Sequence, residues 1–123
     1  MHPLKVIVID DSALVRQLLS EILNSDPAIE VVATAADPYQ ARDKIKQFNP
    51  DVLTLDVEMP RMDGLHLVKR LREGRAYRTT PILMFSSIMS EENRHKALSL
   101  GANDTMTKPQ IGKLVGMVDS YLL

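Results

Sequence analysis

Five short apolar runs, each followed by a stretch with helical periodicity, limit this chain's fold more than any other feature. The runs are 5–9, 30–34, 51–55, 81–85 and 103–106. Strands that alternate with helices require right-handed crossovers, and these give a parallel sheet with helices on both faces. Five such units in 123 residues predict a doubly wound three-layer α/β sandwich, read as one domain over 1–123. Five strands are too few to close an eight-stranded barrel. Val6-Ile7-Val8-Ile9 is wholly β-branched, as a strand covered on both faces should be. Glu30-Val31-Val32-Ala33-Thr34 is more polar and belongs nearer an edge.

Local signals set the helix boundaries. Ser12 can cap a helix over 13–24, in which Leu14, Leu18 and Ile22, and also Val15 and Leu19, recur at helical spacing. Asp37 followed by Pro38 reads as a cap and a first-turn proline, opening a helix that runs to Phe48 and stops at Asn49-Pro50. A loop with Pro60 and Gly64 leads into a helix carrying Leu65, Val68 and Leu71. Ser90, with Glu91 and Glu92 in the first turn, begins a helix that Gly101 closes. Ile111, Leu114, Val115, Val118 and Leu122 give a last amphipathic helix.

Composition removes several function classes. With no cysteine, disulfides and thiolate metal sites are excluded. No run of 18 apolar residues is present, so membrane insertion is not expected. The N-terminus carries no signal-peptide pattern, which points to the cytoplasm. A net charge of −1 with two Phe and no Trp argues against nucleic-acid binding. Lys69, Arg70, Arg72, Arg75 and Arg78 form a local basic stretch, read as a solvated helix face and loop. The three histidines, His2, His66 and His95, are too scattered for a metal site or proton relay.

In an open parallel sheet all strands end at one edge, and ligands bind there. The strand ends bring Asp10-Asp11, Asp56, Ser86-Ser87 and Lys108 to that edge. Three carboxylates without cysteine or histidine suit a hard, oxygen-seeking ion such as Mg2+, which is seldom fully caged by protein. Asp10, Asp11 and Asp56 would suffice as ligands, with a backbone carbonyl at Glu58. A carboxylate beside such an ion can accept a phosphoryl group. Asp56, alone on a central strand, is the expected acceptor. Lys108 can neutralise phosphoryl oxygens, and Ser86 can donate a hydrogen bond to one of them.

These residues resemble the receiver domain of two-component response regulators: Asp10-Asp11, Asp56 in "LTLDVEMPRMDG", Ser86 and Lys108-Pro109, over nearly the whole chain. The resemblance implies strand order 2-1-3-4-5, Mg2+ and phosphorylation of Asp56 by a histidine kinase. Within the family, "IDDSALVRQLLSEILNS", "VVATAADPYQARDKIKQFNPDVLTLDVEMPRMDGL" and "TKPQ" look most like the receivers of chemotaxis protein-glutamate methylesterases. "REGRAYRTTPILMFSSI" looks more like stand-alone chemotaxis receivers. No G-x-S-x-G elbow occurs, so the chain is expected to be a switch and not itself an esterase. It would be either a single-domain regulator or an excised regulatory domain. The family tunes phosphoryl lifetime at two positions, here Glu58 and Ile88. The aromatic residue usual three positions before the lysine is replaced by Thr105. Output is therefore expected through the loop after Ser86 and the 91–122 face, toward a downstream target or linked effector.

Two rivals share parts of this pattern. An Mg2+-dependent aspartyl-phosphate phosphatase would use an acid two residues after its nucleophile, as in Asp56-Val57-Glu58, but wants that motif on its first strand and a cap domain. A flavin electron carrier needs a hydroxyl-rich phosphate loop after the first strand, where Asp10-Asp11 would repel the phosphate.

Overall fold

The β-branched opening strand divides its side chains by parity between two cores. The computed structural model describes residues 2–58, 64–74, 76–86, 89–107 and 113–120. In it the first strand, β1 (Leu4–Ile9), is followed by α1 (Ala13–Asn24), β2 (Ile29–Ala35), α2 (Pro38–Phe48) and β3 (Val52–Asp56). Then come α3 (Gly64–Glu73), β4 (Ile82–Ser86), α4 (Glu91–Leu100), β5 (Asp104–Thr107) and α5 (Leu114–Asp119). Val6 and Val8 pack with Leu19, Leu23, Phe85 and Val118 on one face of the sheet. Ile7 and Ile9 pack with Ala41, Ile45, Leu67 and Ala97 on the other. Successive side chains of a strand point to opposite faces, so an all-apolar strand needs helices on both.

The sheet order is β2-β1-β3-β4-β5 and every pairing is parallel, in agreement with the expected doubly wound fold. The polar strand β2 is an edge, and the fully buried β3 lies in the middle. The N-caps read from sequence are formed: Ser12 accepts from the Val15 amide at 3.3 Å, and Asp37 accepts from the Tyr39 and Gln40 amides, both at 2.9 Å. Ser90 accepts from the Asn93 amide at 3.1 Å, and Gly101 ends α4 in the left-handed region with φ of 117°. Of the last helix, 113–120 is described. Residues 111, 112, 121 and 122 of the sequence-derived span, like Lys108 and Pro109, lie outside the described residues. Among the described residues no helix is long and apolar enough to cross a membrane.

Two sequence expectations needed adjustment. In α1 the buried line is Leu19 and Leu23 with Val15 partly covered, whereas Leu14 is 74% and Leu18 43% exposed. A helix lying on a sheet covers only one stripe, and two adjacent apolar stripes compete for it. In the basic stretch, Arg72 is half-buried and its guanidinium is fully engaged. Its guanidinium donates to the Gly101 carbonyl at 3.0 Å, the Tyr77 carbonyl at 2.8 Å and Asn103 Oδ1 at 2.9 Å. Asn103 Oδ1 also accepts from the Ile82 amide at 2.9 Å, so Arg72 ties α3 to the end of α4 and the start of β4. Arg72→Ala should lower unfolding free energy by about 1–2 kcal/mol in urea titrations. Arg72→Lys should recover little, because an ammonium lacks the planar fork that spans three acceptors.

A second long-range contact joins the turn after α1 to α5. The Ala28 amide, and then the Asp119 side chain, hold the Asp26 carboxyl below its ordinary 3.8. The same hydrogen bond with Asp26, then burial and then the Asp26 charge push Asp119 up. Among the described residues the buried Asp119 Oδ1 has no hydrogen-bond partner, which further disfavours ionisation. A raised folded-state pKa means the folded chain holds that proton more firmly than the unfolded chain. This contribution is full below 3.8 and is lost as pH rises through the folded value. Asp119→Asn should therefore melt higher than the parent at neutral pH, and the difference should close as pH falls toward 3.8. Melting curves across that range check it.

Candidate functional site

β1 ends at Ile9 in the sheet interior, and the chain turns at once into α1. The Asp10 amide still donates to the Ala35 carbonyl at 3.0 Å, as a further rung of the β1–β2 ladder. Its carboxylate accepts from the Ser12 amide at 2.9 Å, while Arg16 clamps the Asp10 carbonyl at 2.8 Å. Asp10 is thereby fixed at 1% exposure while Asp11 projects into solvent. Arg16 was not singled out from the sequence; it lies one helical turn beyond the Ser12 cap and reaches back to the acidic edge.

Asp56 is the last residue of β3, one position earlier relative to the strand end than expected, and is 1% exposed. Its Oδ1 accepts from the Glu58 amide at 3.2 Å. The Val57 amide continues the β3–β4 ladder to the Phe85 carbonyl at 2.8 Å, which holds the backbone under Asp56 rigid. Ser86 likewise closes β4 and is fully buried. The structure brings one carboxylate oxygen each from Asp10, Asp11 and Asp56 to within 4.8 Å of one another. Two nearly buried carboxylates at that spacing repel, and burial weakens the solvent screening that would moderate the repulsion. A divalent cation among them relieves both costs. The donor set, all oxygen and open on the Asp11 side, fits Mg2+.

Ser86 and Glu58 form a contact that sequence reasoning did not foresee. Ser86 Oγ donates a short hydrogen bond to Glu58 Oε1, so the Glu58 side chain occupies the hydroxyl expected to serve the phosphoryl group. Lys108 and Ile88 fall outside the described residues. Thr105 is partly exposed on β5, in register with Met84.

Gly64 opens α3 and donates its amide to the Val57 carbonyl at 2.8 Å. A Cβ there would overlap the Asp56 carbonyl oxygen and come within 3.0 Å of Met84 Cε. Glycine is thus required where α3 passes directly over the backbone of Asp56. Gly64→Ala should cost about 1–2 kcal/mol of stability and slow phosphoryl uptake by shifting Asp56. A variant with unchanged uptake would show that α3 moves instead.

An acidic edge with carboxylates close enough to hold a cation, on a doubly wound parallel sheet of this order, is the form of a class of domain built to accept a phosphoryl group. The family model for the response regulator receiver domain matches residues 6–119, and the chain belongs to that family. It is 55% identical over 118 residues to a protein-glutamate methylesterase/protein-glutamine glutaminase of Cupriavidus metallidurans, covering 94% of this chain and 32% of that protein. A protein of the same description from Pectobacterium atrosepticum is 53% identical over 96% of this chain and 33% of its own length. The chain thus spans about a third of the curated relatives it matches. Among solved structures it is similar to the response regulator domain of Thermotoga maritima CheB, with TM-score 0.84 and 31% identity over 98% of this chain and 94% of that one. Vibrio cholerae chemotaxis protein CheY4 gives TM-score 0.88 and 35% identity, over 98% and 99% respectively.

Proposed function

We propose that this receiver is the phosphoryl-accepting switch of a chemotaxis-type two-component system, with Asp56 as acceptor and a histidine kinase as donor. The observation that carries the reading is the approach of three carboxylates within 4.8 Å, two of them at 1% exposure. Asp10, Asp11 and Asp56 would hold Mg2+ together with the Glu58 backbone carbonyl. When bound, the ion supplies charge neutralisation for the acids and the phosphoryl oxygens. A carboxylate oxygen of Asp56 forms the new bond to phosphorus while the bond to the kinase imidazole breaks, and the imidazole keeps that electron pair. The rigid ladder under Asp56 holds the oxygen in line, which is most of what phosphoryl transfer asks of a protein. Lys108 adds an ammonium to the phosphoryl group.

Phosphorylation adds nearly two negative charges and several acceptor oxygens. Ser86 then exchanges the Glu58 carboxylate for a phosphoryl oxygen. The exchange pulls on the end of β4, which leads to α4, β5 and α5, and the 91–122 face carries the signal to a target or linked effector. With Thr105 in place of an aromatic, that signal travels through backbone and helix position, with no ring rotation. The chain works as a cytoplasmic switch whose only chemistry is gain and loss of its own phosphoryl group.

A narrower reading is favoured by the relatives that are three times as long as the matched segment. In it the chain is the regulatory part of a two-domain protein-glutamate methylesterase, and phosphorylation governs a linked hydrolase. A reading frame that continues past Leu123 into a serine-hydrolase domain would support that reading. For the switch itself, acetyl phosphate with Mg2+ should add the mass of one phosphoryl group, and EDTA should prevent it. No mass gain with Mg2+ present overturns the proposal.

A further inference from the structure

A groove of about 360 Å3 lies between α2 and α3, lined by different residues from those of the aspartate cluster. Leu67 and Leu71, at 5% and 8% exposure, form its base with Tyr77 beside them. Three exposed cations line it: Arg42 and Lys46, one turn apart on α2, and Arg70 on α3. No acidic side chain lines it among the described residues. Arg42 and Lys46 succeed each other at i and i+4 and so project on the same side of α2. An apolar pocket with a few convergent polar groups and a volume of a few hundred Å3 is the usual form of a small-molecule site.

Two features hold the walls in place. Arg72 binds the Tyr77 carbonyl at 2.8 Å, and the Tyr77 hydroxyl reaches toward the Ile45 carbonyl of α2 at 3.5 Å, so Tyr77 bridges both helices. The Arg42 guanidinium carbon sits 6.0 Å from the centroid of the Tyr39 ring, at the limit of a cation–π contact. A groove whose walls are set beforehand loses less entropy when a ligand enters. Three like charges facing one small cavity are mutually unfavourable, and an anion within it removes that cost.

We propose that this groove binds a small aromatic anion. The ring lies on Leu67, Leu71 and Tyr77, and the phosphate or carboxylate is held by Arg42, Lys46 and Arg70. A neutral ring gains only the apolar base, whereas an anion also gains charge-assisted hydrogen bonds, which are the stronger kind. The inference is independent of phosphorylation at Asp56.

The test uses 1-naphthyl phosphate, 1-naphthoate and neutral 1-naphthalenemethanol in EDTA, so that no metal draws the phosphate to the acidic edge. Amide shift changes should cluster on Tyr39, Arg42, Lys46, Arg70, Leu71 and Tyr77, and the anions should bind about tenfold more tightly than the alcohol. Arg70→Ala and Lys46→Ala should each weaken the anions about tenfold and leave the alcohol unchanged. Amide shifts outside the groove should match the parent in both variants, confirming an intact fold. A phosphate preferred over the carboxylate identifies the site as a phosphate-monoester site, and the reverse preference as one for aromatic acids. No binding at millimolar concentration, equal binding of the alcohol, or shifts elsewhere overturns the proposal. So does anion affinity that survives both substitutions.

Discussion

Asp56→Asn protein should take up no phosphoryl group from acetyl phosphate in Mg2+, and in EDTA it should unfold at a higher urea concentration than the parent. The first outcome follows because an amide oxygen cannot serve as the nucleophile that a carboxylate provides. The second follows from the resting electrostatics. Asp10 and Asp56 are each 1% exposed, and their oxygens belong to a cluster spanning at most 4.8 Å. At an effective dielectric of about 20, two unit charges at that distance repel by roughly 3 kcal/mol. Part of this is relaxed by the partners the two carboxylates already have, the Ser12 and Glu58 amides among them. A net gain of about 1–3 kcal/mol on neutralising Asp56 is therefore expected in EDTA. Added Mg2+ should narrow the gap, since mass action stabilises the parent, with its full ligand set, more than the variant. Asp11→Asn should stabilise less, because Asp11 is already exposed to screening solvent. Wild-type labelling of Asp56→Asn would remove Asp56 as acceptor. Equal stability of the two proteins in EDTA would remove the repulsion that motivates the metal site.

The features legible in the sequence are those encoded by neighbouring residues. Continuous apolar runs marked β1, β3 and β4, with β1 wholly β-branched, while Ser12, Asp37, Ser90 and Gly101 marked helix ends through bonds to residues two to four positions away. The acids were legible because strand ends in a parallel sheet share one edge, so a residue's place in the chain fixes its place in space. Strand order came from the family resemblance, since nothing in the apolar runs says which strand neighbours which. What escaped prediction is long-range. Arg72 meets Asn103 across 31 residues, and Ser86 meets Glu58 across 28. Both pairs exist because β3, β4 and β5 lie side by side, and no local signal marks them. The exposed stripe on α1 was ambiguous for another reason: two apolar lines at helical spacing fit the same periodicity, and only the sheet beneath selects between them. The groove between α2 and α3 was illegible too, because its cations alternate with the polar residues that any solvated helix face carries.

Glu58→Ala should raise the phosphorylated fraction at a fixed, sub-saturating phosphodonor concentration by about ten- to a hundredfold. In the resting protein Ser86 Oγ donates to the Glu58 carboxylate, and that bond must be given up before the hydroxyl can serve the phosphoryl group. A hydrogen bond to an ionised acceptor contributes about 1.5–3 kcal/mol, and removing it from the resting side alone shifts the equilibrium by that amount. The variant also removes a negative charge from the edge where the phosphoryl dianion must settle, so the two effects share a sign. Glu58→Gln separates them. It keeps the length of the side chain and an acceptor oxygen but loses the charge, so the resting bond weakens to the neutral range of about 0.5–1.5 kcal/mol. Its phosphorylated fraction should fall between parent and Glu58→Ala. Ser86→Ala removes the donor in both states, and in that background the further change Glu58→Ala should have little effect beyond its charge. Such non-additivity, read from phosphoryl occupancy in the four proteins of the double-mutant cycle, is the signature of exchange between the two acceptors. Strict additivity would mean that Glu58 and Ser86 do not exchange, and a lower occupancy in Glu58→Ala that Glu58 supports the phosphorylated state instead of competing with it.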